Sequence, residues 1–292
     1  MKKSMILGLI LSVLSVFVYG EEEVKKDSSW TLGGMAALNL SQINLSNWAA
    51  GGENAVGFDV SFAYSADYKK NKHLWQNRLE LAYGLNQTET DGTKKTNDKI
   101  YFSSNYGYEL AKNLYFSSMV NFNSQFAKGY DYKTEPRELI SRFMSPGYLM
   151  GGIGLTWNPK KYFTATFSAL SWRGTFVTSD ELSEQGAYGV TPGKHLFSEM
   201  GGNLKLEVNY EFLKNMTIYS RADFFSNYLE DTKNIDVRWD VTLNMKVNKW
   251  FSANISTNMI YDNDTKIAQK DGSKGPRLQF KEVLGIGFQV NF

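Results

Sequence analysis

Residues 235 to 247 read Ile-Asp-Val-Arg-Trp-Asp-Val-Thr-Leu-Asn-Met-Lys-Val and restrict the possible folds more tightly than any other segment. Ile235, Val237, Trp239, Val241, Leu243, Met245 and Val247 fall on one face, and Asp236, Arg238, Asp240, Thr242, Asn244 and Lys246 on the other. A period of two means a strand, predicted from Asn234 to Asn248. At about 3.3 Å per residue and a tilt of about 40°, it is long enough to cross an apolar band of about 25 Å. One face demands an apolar medium over its whole length while the other carries ions that need water or partners. The wall of a membrane barrel, with lipid outside and a polar lumen inside, meets both demands.

The totals agree once alternation is taken into account. Net charge is +2 and mean hydropathy −0.38, because inward polar residues dilute the outward apolar ones. After the first residues no run is long and apolar enough for a spanning helix, which needs about 18 or more. Cysteine is absent, which excludes disulfides and thiolate metal sites. The balance of acids and bases carries no nucleic-acid footprint. Met1-Lys2-Lys3, the apolar stretch from Met5 to Val18 and the small residue before Glu21 read as a secretory signal over 1–20, followed by a short periplasmic lead-in over 21–29.

From residue 30 to 292 the alternation recurs. Strands are predicted at about 30–45, 54–68, 73–87, 98–110, 113–126, 147–158, 161–174, 198–212, 215–228, 234–248, 250–262 and 277–292, an even count of about twelve. Every second connection is a tight polar turn with lysine, such as Lys69-Lys70-Asn71-Lys72, Lys112-Asn113 and Lys214-Asn215. Most of the others are long, as at 127–146, 175–197 and 263–276. Short turns on the periplasmic side and long loops outside are the asymmetry of an outer-membrane β-barrel. Aromatic residues gather beside the short turns, where an interfacial girdle belongs: Trp75, Tyr108, Trp157, Tyr162, Tyr210 and Trp250. Glu282 is a misfit on the apolar face of the last strand, explained either by a position near the outer interface or by a bulge at Gly285.

The stretch Leu45-Ser46-Asn47-Trp48-Ala49-Ala50-Gly51-Gly52-Glu53-Asn54 resembles the opening of an uncharacterised family of outer-membrane β-barrels of Bacteroidota-type bacteria, a domain of unknown function. Gln125-Phe126-Ala127-Lys128-Gly129-Tyr130, Asn234-Ile235-Asp236-Val237 and Gly275-Pro276-Arg277-Leu278-Gln279-Phe280 resemble further segments of it. The last strand, ending in Phe292, looks like the signal read by the barrel assembly machinery. The resemblance implies fold and location but no activity.

The inward face is the informative one for function. Arg78, Glu80, Lys205, Glu207, Arg221, Asp223, Asp236, Arg238, Asp240 and Lys246 are the lumen-lining candidates, and opposite charges on adjacent strands can pair. They motivate a narrow channel or binding barrel for small polar solutes, in contact with outer-membrane lipid, with no cofactor, no metal and no catalysis. A sealed structural or partner-binding barrel is the alternative. A third is a barrel-embedded lipid hydrolase using His195 and Ser198 beside Glu199, which requires the base to reach the nucleophile. Asp262-Asn263-Asp264 offers calcium-type oxygens but lacks the remaining spacing of a binding loop. Gly151-Gly152-Ile153-Gly154 lacks the strand-to-helix context of a phosphate loop and marks a bend or close packing in the wall instead. The exposed indole of Trp48 anchors the loop from Trp48 to Glu53, or serves that loop in binding a glycan or peptide.

Overall fold

A computed structural model describes residues 29–43, 55–88, 92–132, 134–230, 232–264, 266–268 and 273–292. The predicted signal over 1–20, nearly all of the lead-in and the loop from Trp48 to Glu53 lie outside the described residues. In chain order the strands are β1 (Trp30–Ile43), β2 (Ala55–Lys70), β3 (His73–Thr88), β4 (Gly92–Ala111), β5 (Leu114–Ser124), β6 (Gly129–Asp131), β7 (Glu138–Ser141), β8 (Gly147–Lys160) and β9 (Phe163–Phe176). There follow β10 (Leu196–Leu213), β11 (Met216–Asn227), β12 (Asp236–Lys246), β13 (Phe251–Tyr261), β14 (Lys266–Ala268), β15 (Lys274–Pro276) and β16 (Gln279–Asn291). Twelve of them close into one antiparallel barrel, in the ring order β1-β16-β13-β12-β11-β10-β9-β8-β5-β4-β3-β2. The pairs β6/β7 and β14/β15 are small hairpins carried by the loops.

Closure gives the barrel's backbone N–H and C=O groups partners without water, the condition for crossing hydrocarbon. The exterior matches that setting: Val56, Val60, Leu110, Phe116, Phe167, Leu284, Phe288 and Val290 all point outward and are exposed. Outward indoles need a partner for their N–H, and three find the same one. Trp75 donates to Ser104 at 2.8 Å, Trp172 to Ser198 at 2.7 Å and Trp239 to Ser220 at 3.0 Å. Each serine lies two residues before the residue directly opposite its indole, namely Tyr106, Met200 and Ala222. A single cross-strand device thus satisfies three amphipathic anchors.

The short turns follow from asparagine's tolerance of left-handed backbone. Asn71, Asn113 and Asn215 adopt φ of 53°, 63° and 67°. Glu109 and Glu211, each four residues before such an asparagine, accept its backbone N–H at 3.2 and 2.9 Å, so the repeated pattern Glu-x-x-Lys-Asn is one turn used twice. Near these turns His73 packs on Tyr106 and Tyr108, Tyr162 on Tyr210, and Phe251 on Phe288, which builds the girdle.

The seam between β1 and β16 depends on one absent side chain. The Phe292 ring sits where a Cβ of Gly34 would be, 2.4 Å from that position, while the two backbones exchange hydrogen bonds at 2.7 and 3.0 Å. Gly154 is comparable: a Cβ there would meet the Phe167 carbonyl oxygen at 2.0 Å. Its role is close packing in the wall. Glu282 stays on the outer face, and the β13–β16 register runs unbroken through Gly285, so its place near the loop end explains it rather than a bulge.

At the loop end, residues 177–195 fold over α1 (Asp180–Glu184) and a 3₁₀ turn (Ala187–Gly189). Val177, Leu182 and Val190 form a small core with Leu139, Tyr188 and Phe197 packed against it. Burial pushes the Tyr188 phenol up, and its hydroxyl donates to the Ile140 carbonyl, which ties this loop to β7.

Candidate functional site

Alternation sends the charges of β3, β4, β10, β11 and β12 inward, where they meet at mid-height. Arg221 is the centre, with 1 % of its side chain exposed. Its guanidinium donates to Glu80 at 2.9 Å and to Asp240, lies 3.9 Å from Asp223, and stacks 3.7 Å over the ring of Tyr101. Lys99 reaches the same two acids, at 2.7 Å from Glu80 and 3.5 Å from Asp240. Lys205 pairs with Glu207 at 3.2 Å and donates to Ser103 at 3.3 Å. Asn258 holds the other oxygen of Asp240 at 2.8 Å.

The ring order gives these contacts their meaning. Between β11 and β3 lie β10, β9, β8, β5 and β4 on one side and β12, β13, β16, β1 and β2 on the other, so Arg221 and Glu80 pair across the full width of the lumen. Lys99 on β4 and Asp240 on β12 are opposite in the same sense. Arg78, facing the Tyr219 ring at 5.0 Å, makes a third crossing. Glu80, Glu207, Asp223 and Asp240 are balanced by Arg78, Lys99, Lys205 and Arg221, so the formal charges of this waist cancel. Burying so many ions is sustainable only because each has partners. The waist is therefore occupied by side chains, not by an open pore.

On the loop side of the waist lies a cavity with about 70 Å³ of space for water-sized occupants, lined among others by Tyr101, Asn121, Tyr148, Asn203, Asp223 and Arg238. Arg238 lies 5.2 Å over the Tyr148 ring. At the upper edge Arg173 bridges Glu199 and Asp236, both at 2.6 Å from Nη2, and covers the Phe225 ring at 4.2 Å. Carboxylate oxygens of Glu199, Asp236 and Asp264 lie within 4.8 Å of one another, but the Arg173 guanidinium already neutralises two of them. Burial, then the neighbouring Asp262 and Asp236, raise the Asp264 carboxyl above its ordinary range, with Arg173 opposing. Asp262 accepts the Asp264 N–H at 2.9 Å, and Asp236 accepts that of Asn263 at 3.2 Å, so this acidic stretch is used to shape the loop.

Of the residues predicted to line the lumen, Arg78, Glu80, Lys205, Glu207, Arg221, Asp223 and Asp240 converge at the waist. Asp236 and Arg238 lie above it, and Lys246 is exposed at the short-turn rim as the last residue of β12. Lys99, Tyr101 and Tyr219 were not among the expected residues, although Lys99 and Tyr101 alternate with outward Ile100 and Phe102. Arg173 is concealed differently: Gly201 and Asn203 oppose Ser171 and Ser168, and the bulge between those serines reverses which residues of β9 face inward. The proposed His195–Ser198 pair is not assembled. His195 donates from Nδ1 to the Val177 carbonyl at 2.7 Å and turns Nε2 towards Asp180 at 3.6 Å, whereas Ser198 receives the Trp172 indole on the lipid-facing side.

Two family models match parts of the chain: "Protein of unknown function (DUF3078)" over residues 40–130 and "Protein of unknown function, DUF481" over residues 173–272. No curated protein matches it. Among solved structures, the chain is similar to an outer membrane channel of the COG4313 group from Pseudomonas putida F1, at 9 % identity and TM-score 0.41 over 92 % of this chain and 100 % of that one. It is also similar to the NanC porin, at 10 % identity and TM-score 0.37 over 88 % and 98 % of the two chains. The translocator domain of the autotransporter NalP from Neisseria meningitidis gives 10 % identity and TM-score 0.35 over 98 % and 95 %.

Proposed function

We propose that this outer-membrane barrel is a non-enzymatic, gated passage for small polar solutes, with the ion-paired waist as its gate. The supporting observation is that the lumen is blocked by mobile side-chain types and not by backbone: Arg221–Glu80 and Lys99–Asp240 cross it, next to a polar cavity on the loop side. Removing both partners of one crossing opens the waist while its acids and bases stay equal in number, with Asp240 still beside Lys99. In planar bilayers the wild-type protein is expected to rest silent with rare openings, and the Arg221→Ala/Glu80→Ala double variant to show sustained steps. Asp240→Asn in that background should shift ion preference towards anions. A correctly folded, heat-modifiable double variant that stays silent would overturn the passage and leave the sealed barrel.

A further inference from the structure

We infer that the loop-side cavity is a binding site for a small primary ammonium solute, a conclusion that rests on the solute-handling reading above and gives it a substrate class. Four buried polar atoms around the cavity have no protein partner: the Tyr101 hydroxyl, Oδ1 of Asn121, Oδ1 of Asn203 and Oδ1 of Asp223. Tyr101, Asn121 and Asn203 are more than nine-tenths buried. The orientation of Asn203 is fixed, because its Nδ2 donates to the Phe224 carbonyl at 3.2 Å, which leaves the oxygen without a donor. Three of the four atoms can only accept, and an unpaired buried acceptor costs about 1–3 kcal/mol. What they lack is a donor.

An alkylammonium group carries three donors and no acceptor, which complements three unpaired oxygens. An anion brings only more acceptors. The local charge agrees: Arg173 and Arg238 are outnumbered by Asp236, Asp262, Asp264 and Glu199, while Asp223 belongs to the balanced waist. The two arginines are also occupied, one by carboxylates and the other over an aromatic face.

The test is calorimetric titration of the purified, waist-intact protein in detergent with ethylammonium chloride, glycerol and sodium acetate. Saturable binding of ethylammonium, at least tenfold tighter than that of glycerol and with none of acetate, is expected. Asn203→Leu and Asn121→Leu should each weaken it by about tenfold, and Asn121→Asp should tighten it. Equal binding of glycerol and ethylammonium, or preference for acetate, would overturn the ammonium assignment. Absence of any saturable binding to folded protein would overturn the site. Because no conduction is needed, a silent waist variant with intact ammonium binding would refute the passage alone, and a conducting variant without binding would refute the site alone.

Discussion

The two halves of the lumen are built from different chemistry. Towards the short turns the inward residues are mostly amides and hydroxyls. Thr156 accepts from Asn105 at 3.1 Å, donates to Ser117 at 2.8 Å and meets Thr166 at 3.1 Å, while Gln289 accepts from both Asn244 and Ser252 at 2.6 and 3.0 Å. From mid-height to the loops the interior carries Arg221, Lys99, Lys205 and Arg173 with their carboxylates. Neutral bonds contribute about 1 kcal/mol each and depend little on what else occupies the lumen. Paired ions are costly to separate but exchange partners when another charge arrives. The short-turn half is therefore a fixed frame and the loop half a responsive interior.

If that division is right, the largest single loss belongs to the waist. Arg221→Ala leaves Glu80 and Asp240 to share Lys99, takes the guanidinium from beside the buried Asp223, and should cost about 3–5 kcal/mol, read as a lower midpoint of urea unfolding in detergent. Arg221→Lys should recover little, since only the planar fork reaches Glu80 and Asp240 together. An unchanged midpoint for Arg221→Ala would mean that water, not the arginine, neutralises the waist.

The frame should fail by volume instead of charge. Gly154→Ala places a methyl group against the backbone oxygen of Phe167, where no rotamer offers relief, and is expected to cost about 3 kcal/mol with no effect on ion preference. Thr156→Val keeps the shape but removes the hub hydroxyl. A cost of about 1 to 2 kcal/mol is expected, again with unaltered conductance in the opened background. Movement of ion selectivity by Thr156→Val as large as that caused by Asp240→Asn would erase the distinction between the halves.

How much of this was legible follows from what a period of two can encode. Eleven strands came within two residues of their observed ends and the Lys-Asn turns were visible, because alternation and turn chemistry are local, whereas β4 begins six residues before the expected start, at Gly92. The inward direction of Arg221 and Asp240 is equally local. Their partners are not: Glu80 is far from Arg221 in sequence, and only closure of the ring with six steps either way brings the two together. Adjacent-strand pairing was anticipated and occurs at Arg221–Asp240, but the crossings that shut the waist depend on barrel width. Ser198 teaches the converse. A serine near a histidine suggests chemistry until the neighbouring strand supplies Trp172, whose indole needs an acceptor facing lipid.

The smallest effect lies at the loop rim of the responsive half, where its charge balance is least complete. Asp264 is half-buried beside Asp262 and Asp236, so its carboxyl binds a proton more readily in the folded loop than in an unfolded chain. A raised carboxyl stabilises the fold fully below its ordinary range, and that contribution is lost as pH rises through the folded-state value. Protease cleavage of the loop should therefore accelerate modestly from about pH 4 to pH 7, and Asp264→Asn should flatten the profile while changing overall stability by no more than about 0.5 kcal/mol. A wild-type profile as flat as that of the variant would show that Arg173 already offsets the crowding, and the boundary of the responsive half would then retreat from the loop to the cavity.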